Sequence, residues 1–77
     1  MTQERRSRLE TIQNRLEDIR SDVQELLDEE EHYRDNIPEN LQNSAEYKQA
    51  DAVCEDLSDA MDALADAVNS ILSAITE

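Results

Sequence analysis

The sequence predicts an all-α fold, an antiparallel two-helix hairpin of coiled-coil type that assembles into a helical-bundle homo-oligomer. The 77-residue chain has no Gly, Phe or Trp, so signals for strands are almost absent. Apolar residues recur at alternating steps of three and four in two long segments, which is the pattern of a heptad seam. A short connector holding the only proline, Pro38, separates the segments, so the two helices have to fold back on each other within one domain, residues 1–77.

The first segment predicts a helix over about residues 3–35. Its expected seam consists of Leu9, Ile12, Leu16, Ile19, Val23, Leu26, Glu30, Tyr33 and Ile37. Glu30 stands where an apolar residue belongs, and a carboxylate there costs stability unless it is paired. Arg34, four residues later on the same helix face, is the expected partner.

The connector, residues 36–43, predicts a tight turn built without glycine. Asn36 is expected to end the first helix in the left-handed conformation, which asparagine tolerates better than most residues. Pro38 presets φ for a short helical turn in the sequence PENL. Asn43 or Ser44 is expected to cap the second helix, with Glu46 completing a capping box if the cap is Asn43.

The second segment predicts a helix over about residues 44–75. Its seam consists of Tyr47, Ala50, Cys54, Leu57, Met61, Leu64, Val68, Ile71 and Ile75. Pairing the two seams outward from the turn places Tyr33 beside Tyr47 and Leu26 beside Cys54. The thiol of Cys54 is therefore expected in the core, where it behaves as a small hydrophobe.

Apolar residues on both flanks of the second seam predict a surface wider than one partner helix covers. We expect a homo-oligomer, whose simplest closed form is a dimer with four helices; larger rings are the other option. The alternative is that the alanines serve helix propensity alone. The predicted interface consists of Val53, Ala60, Leu64, Ala67, Val68, Ile71, Leu72, Ala74 and Ile75.

The net charge of −13 is unevenly distributed. Residues 1–20 carry five arginines against four acids, a net of +1, while residues 21–77 carry sixteen acids against two bases, a net of −14. Such a surface repels nucleic acid, so no direct nucleic-acid binding is expected. No apolar run approaches the ~18 residues of a membrane span, and the N-terminus lacks a signal-peptide core, which predicts a cytoplasmic protein with no membrane partner.

Few residues are candidates for a metal site or for catalysis. Glu29 and His32 have the Glu-x-x-His spacing of carboxylate-bridged metal sites, but His32 is the only histidine and such sites need matching motifs on other helices. The sequence therefore predicts no metal site, no cofactor, no catalytic residue and no enzymatic activity.

Two charged sets are candidate binding residues. Arginines on the flanks of the first seam either cover apolar surface with their stems or converge between subunits on an anion such as a nucleotide. These are Arg6, Arg8, Arg15 and Arg20. Acids at steps of four, three and four along the outside of the second helix either solvate the protein or offer a face to a basic partner. These are Glu55, Asp59, Asp62 and Asp66.

The stretch LLDEEEHYRDNIPENLQNSAEYKQADAVCEDLSDAMDALADA resembles small acidic helical-hairpin proteins encoded by bacteriophages and other mobile elements of bacteria. The specific part is Tyr33 to Ser44, ending in P-E-N-L-Q-x-S. The resemblance implies a phage origin, a bacterial host and no enzymatic activity, and it transfers no site residues.

Together these features predict a non-enzymatic accessory protein that binds and inhibits a host protein, such as an antiviral defence component, in the host cytoplasm. Two alternatives remain at this level: an oligomer that sequesters a cyclic nucleotide between subunits through its arginines, and a structural coiled-coil spacer.

Overall fold

A computed structural model describes residues 1–77 and shows two long helices packed against each other without strands. Helix α1 spans Gln3–Asp35 and helix α2 spans Ala45–Thr76. A single-turn 3₁₀ helix, Glu39–Leu41, lies between them. The sequence-based expectation of an all-α hairpin is therefore confirmed.

Both helices begin with a hydroxyl cap. The Thr2 side chain accepts a hydrogen bond from the backbone N–H of Arg5 at 3.2 Å, and Ser44 accepts one from Tyr47 at the same distance. Each bond satisfies a donor that the first turn of a helix otherwise leaves unpaired. Ser44, rather than Asn43, is the cap of α2. The capping box expected from Asn43 and Glu46 is therefore not formed.

The turn reverses the chain without any left-handed residue. Asn36 ends α1 at φ −87° and ψ −4°, so its expected left-handed conformation was wrong. Its backbone N–H donates to the carbonyl of His32 at 3.1 Å, and its side-chain amide donates to the same oxygen at 2.7 Å. Pro38, at φ −56° and ψ 146°, then gives one extended step before the 3₁₀ turn. The hydrogen bond of the Asn36 side-chain amide and the extended conformation of Pro38 together replace the glycine that such a turn usually requires.

The core is a thin seam between the helices. Only Leu27, Ile37, Ala50, Cys54 and Val68 are buried. All nine predicted seam positions of α2 are buried or half-buried, which confirms that half of the predicted packing.

Helix α1 is rotated relative to the prediction. Leu9, Leu16 and Val23 lie in the seam as expected. The positions that alternate with them, however, are Gln13, Arg20, Leu27 and Arg34. The predicted alternating positions were wrong, because Ile12, Ile19, Leu26 and Tyr33 are exposed.

The rotation is chemically unusual because it trades apolar side chains for polar ones. Leu27 is the only aliphatic member of the four residues turned toward α2. Arg20 and Arg34 are half-buried, and long basic side chains in such positions often lay their hydrocarbon stems on apolar surface. The Nε atom of Arg20 is buried without a hydrogen-bond partner. The hairpin thus leaves three large aliphatic side chains, Ile12, Ile19 and Leu26, on the outside of α1.

The molecule is a rod with extents of 59 × 15 × 13 Å. Its radius of gyration is 17.5 Å, against about 11.5 Å for a compact domain of this length. Its accessible surface is 5734 Å², against about 4,800 Å² for a typical monomer of this mass. The single chain therefore exposes about a fifth more surface than a compact domain of this mass does.

Candidate functional site

Polar contacts join the two helices beside the turn. The Tyr33 hydroxyl donates a hydrogen bond to the Glu46 carboxylate. Arg34 donates from Nη1 to Asp51 Oδ1 at 3.0 Å and from Nε to Asp35 Oδ1 at 3.0 Å. The expected pair between Glu30 and Arg34 was wrong, because the guanidinium is held by Asp51 of the facing helix and by its sequence neighbour. Arg34 therefore ties the end of α1 to the start of α2.

These contacts shift two ionisation equilibria. The pKa of Tyr33 lies above its ordinary value, first because its hydroxyl donates to Glu46, then through partial desolvation and the charges of Glu46 and Glu30. The pKa of Arg34 is raised mainly by its hydrogen bond to Asp35, with Asp51 acting in the same direction. Both shifts favour the protonated forms that make the contacts.

A shallow groove lies at the turn end of the rod. It has a volume of about 440 Å³, and its lining includes Glu29, His32, Tyr33, Ile37 and Glu46. Glu29 and His32 thus share one groove, yet nowhere in the chain do three or more His, Cys, Asp or Glu side chains cluster in a way that would hold a metal ion.

Cys54 is the buried thiol of the seam, as its position predicts. Burial raises its pKa, Arg34 opposes this shift, and the charges of Glu30, Glu31 and Asp51 reinforce it. Because the thiolate is the reactive form, these surroundings favour an inert core cysteine.

Four exposed apolar side chains lie along the outside of α1 at seven-residue spacing. We call Ile12, Ile19, Leu26 and Tyr33 the exposed stripe; their exposed fractions are 41%, 48%, 57% and 46%. Seven residues are nearly two helical turns, so these side chains stand in one row. From Ile12 to Tyr33 the row is about 32 Å long at 1.5 Å per residue.

Helix α2 continues this surface with small side chains. Glu46 meets Tyr33 across the hairpin, so positions at seven-residue steps from Glu46 lie on the same side as the exposed stripe. Those positions are Val53, Ala60, Ala67 and Ala74. Val53 is exposed and the three alanines are half-buried. One side of the rod therefore combines a row of large apolar side chains on α1 with a row of small apolar side chains on α2.

The acidic stripe on α2 consists of Glu55, Asp59, Asp62 and Asp66, and all four residues are exposed. The only ion pairs in the chain are the two of Arg34, so none of the four is neutralised from within. The stripe is available to positive groups of a partner.

The four candidate arginines are divided between different surroundings. Arg8 and Arg15 line one groove of about 270 Å³ with Thr11 and Ile12. Arg20 lies in another groove on the seam, and Arg6 is half-buried. Within one chain, the structure brings only Arg8 and Arg15 together.

The predicted oligomer residues on α2 are likewise divided. Val68 is buried by α1, and Leu64, Ile71 and Ile75 are half-buried in the seam. Val53 and Leu72 are the most exposed members, on opposite flanks of the helix. Sequence reasoning missed the larger apolar surface on α1, and the adjacent pair Leu26 and Leu27 was the signal that two rotations of this helix were available.

Comparisons with known proteins leave the family of the chain open. No model of a known protein family matches it, and neither does any curated protein or solved structure. Neither helix contains a segment long and apolar enough to cross a membrane.

Proposed function

We propose that the protein acts without catalysis, by binding and inhibiting a host protein, an antiviral defence component of a bacterium, through the acidic stripe on α2. The observation that carries this proposal is the row of four exposed carboxylates that have no basic partner within the chain. The resemblance of the connector to phage-encoded hairpins supports the choice of a bacterial host.

The proposed partner presents a basic surface. Carboxylates at steps of three and four on one helix stand ~5 to 6 Å apart, a spacing close to that of phosphates along nucleic acid. A protein that normally grips an anionic polymer offers arginines and lysines at matching intervals. Charge complementarity of this kind speeds association and selects against acidic competitors.

The test is a challenge with phage of bacterial strains that carry defence systems. Expression of the protein is expected to restore plaque formation at least tenfold in one such strain. A variant with Glu55→Gln, Asp59→Asn, Asp62→Asn and Asp66→Asn is expected to lose this effect, because the partner's positive groups lose their counter-charges.

The matched control neutralises four acids of α1, with Glu10→Gln, Asp18→Asn, Glu25→Gln and Asp28→Asn. It has the same net charge as the α2 variant and should keep the effect. Equal loss in both variants would indicate that net charge, rather than the stripe, causes the effect. Failure to restore plaque formation in every strain with a defence system would contradict the proposal.

One observation favours the nucleotide-sequestering alternative: Arg8 and Arg15 line the same groove. Isothermal titration with cyclic nucleotides separates the two functions. Tight binding that is abolished by Arg8→Ala and Arg15→Ala supports sequestration, whereas absence of heat leaves the protein partner as the better explanation.

A further inference from the structure

The outer surface of α1 contains a second pattern beside the exposed stripe. Arg8, Arg15, Asp22 and Glu29 follow one another at seven-residue spacing and are all exposed. Each stands three or four residues from a member of the stripe, on the side away from the seam. Arg8 and Arg15 share a groove with Ile12, and Glu29 shares one with Tyr33. We call these four residues the charge row.

The signs in the charge row are plus, plus, minus, minus. When two copies of α1 lie side by side and antiparallel, Arg8 stands opposite Glu29 of the second copy and Arg15 stands opposite Asp22. When they lie parallel, every residue stands opposite its own copy, and all four contacts join like charges. The row is therefore complementary to itself in the antiparallel orientation alone.

The exposed stripe agrees with the same orientation. The arrangement that pairs Arg15 with Asp22 brings Ile19 close to Ile19 of the second copy. It also brings Ile12 opposite Leu26, with an offset of one residue along the helix. The two-fold axis then crosses α1 near Ile19, which is close to the middle of the helix Gln3–Asp35. Two whole hairpins thus overlap along their full length, with their turns at opposite ends.

The distribution of net charge points the same way. The turn half of the hairpin, residues 21–59, holds thirteen acids and two bases, a net of −11. The open half, residues 1–20 and 60–77, has a net of −2, from +1 and −3. Antiparallel hairpins keep the two strongly acidic halves apart, whereas parallel hairpins would place them side by side.

The available area is sufficient for a stable contact. One side of a rod with extents of 59 by 15 Å measures about 900 Å², against about 800 Å² per partner in interfaces of standard size. On α2, Ala60 and Ala67 allow a second helix to approach closely, toward the ~8 Å lower limit of helix packing.

From these observations we infer that the occupant of this surface is a second copy of the chain: two hairpins pack antiparallel through the exposed stripe and the charge row of α1, with the alanine side of α2 completing a four-helix bundle. The inference does not depend on which protein the acidic stripe binds, so the phage challenge and the experiments below can fail separately.

The first experiment uses analytical ultracentrifugation at micromolar concentration. The unmodified protein is expected to sediment as a dimer and Leu26→Asp as a monomer. Leu72→Asp is the matched control, because Leu72 is 46% exposed on the opposite flank of α2 and should leave the dimer intact. Helix content by circular dichroism verifies that each variant is folded. A monomeric unmodified protein, or a dimer lost with Leu72→Asp and kept with Leu26→Asp, overturns the inference.

The second experiment changes only surface charges, so it does not disturb the seam. Asp22→Arg with Glu29→Arg makes the charge row uniformly positive, and the dissociation constant is expected to rise roughly tenfold or more as exposed pairs become repulsions. Glu10→Arg with Asp28→Arg makes the same change in net charge on the opposite face of α1 and should not weaken the dimer. Equal dissociation constants for the two variants overturn the role of the row.

The third experiment measures orientation by spin labels in a Cys54→Ala background. A label at residue 18, from Asp18→Cys, lies near the two-fold axis, so the two labels of a dimer should be less than about 25 Å apart, roughly two helix diameters. A label at residue 32, from His32→Cys, should give about 40 Å, because 26 residues at 1.5 Å separate the two positions along the bundle. Equal distances at both sites indicate a parallel dimer and overturn the inference.

Discussion

Polar contacts of single residues join the helices at the turn end of the hairpin, where most of the buried side chains also lie. Arg34 reaches Asp51 across the seam, and Tyr33 reaches Glu46. Each contact joins the last turns of α1 to the first turns of α2, beside the buried side chain of Ile37. Because these bonds need a protonated tyrosine and a charged arginine, the local structure depends on ionisation.

The titration of Tyr33 is the first prediction. In a Tyr47→Phe background, absorbance of the remaining tyrosine should show a pKa above the ordinary value of 10.0, and Glu46→Gln should move it back toward that value. Since the folded-state pKa is raised, the stabilising contribution of Tyr33 is fully present below pH 10 and is lost as the pH rises through the folded pKa.

Glu29→Gln is the control for this titration. It removes a charge from the same groove without touching the hydrogen bond, so the pKa of Tyr33 should change less than in Glu46→Gln. Identical titration curves for Glu46→Gln and its parent would show that the hydrogen bond to Glu46 does not govern the ionisation.

The two helices differ in how completely their sequences define their packing. In α2, apolar residues occupy every seam position, and the positions farthest from the seam are mostly polar, so only one rotation buries the whole seam. In α1, Leu9, Leu16 and Val23 belong to two possible seams. One is completed by Ile12, Ile19 and Leu26, and the other by Gln13, Arg20 and Leu27. A heptad pattern alone favours the first seam, and the structure has the second.

This difference explains which parts of the molecule the sequence could predict. The two helices, the reversal at Pro38 and the core position of Cys54 follow from periodicity and from a single breaker. The rotation of α1 does not, because it depends on the reach of Arg34 to Asp51 and on arginine stems replacing aliphatic side chains. The apolar surface was accordingly predicted on α2 alone, while its larger part lies on α1.

The neighbouring leucines of α1 provide a second prediction, with the control built in. Leu27 is 8% exposed and Leu26 is 57% exposed. Leu27→Ala should lower the free energy of unfolding by about 2 to 3 kcal/mol, because it leaves a cavity in the seam. Leu26→Ala removes the same atoms from the outer surface. It should lower the free energy of unfolding only by weakening self-association, so its effect should depend on protein concentration.

Denaturation at several protein concentrations measures both effects. The loss in Leu27→Ala should be present at every concentration. The loss in Leu26→Ala should shrink toward zero on dilution, as the contribution of self-association disappears. A larger concentration-independent loss in Leu26→Ala than in Leu27→Ala would show that the rotation of α1 in solution is the one expected from the heptad pattern.

For the whole molecule, the dominant electrostatic effect is self-repulsion. The chain has twenty acidic and seven basic residues, and only Arg34 forms ion pairs within the chain. The turn half alone has a net charge of −11. The charge row contributes attraction between copies, but it comprises only four residues per chain. Repulsion within each hairpin therefore outweighs attraction between hairpins in the response of the protein to salt.

Salt is accordingly expected to stabilise this protein. Raising NaCl from about 0.02 M to about 0.5 M shortens the screening length severalfold and should raise Tm, and each kcal/mol gained corresponds to about 4 to 8 °C for a domain of this size. The variant with the acidic stripe neutralised should have a higher Tm at low salt and a smaller rise with added salt, because less repulsion is left to screen. Thermal unfolding followed by circular dichroism measures both responses. A Tm that falls with added salt would mean that attractive pairs, rather than the excess of carboxylates, dominate the electrostatics of the assembled rods.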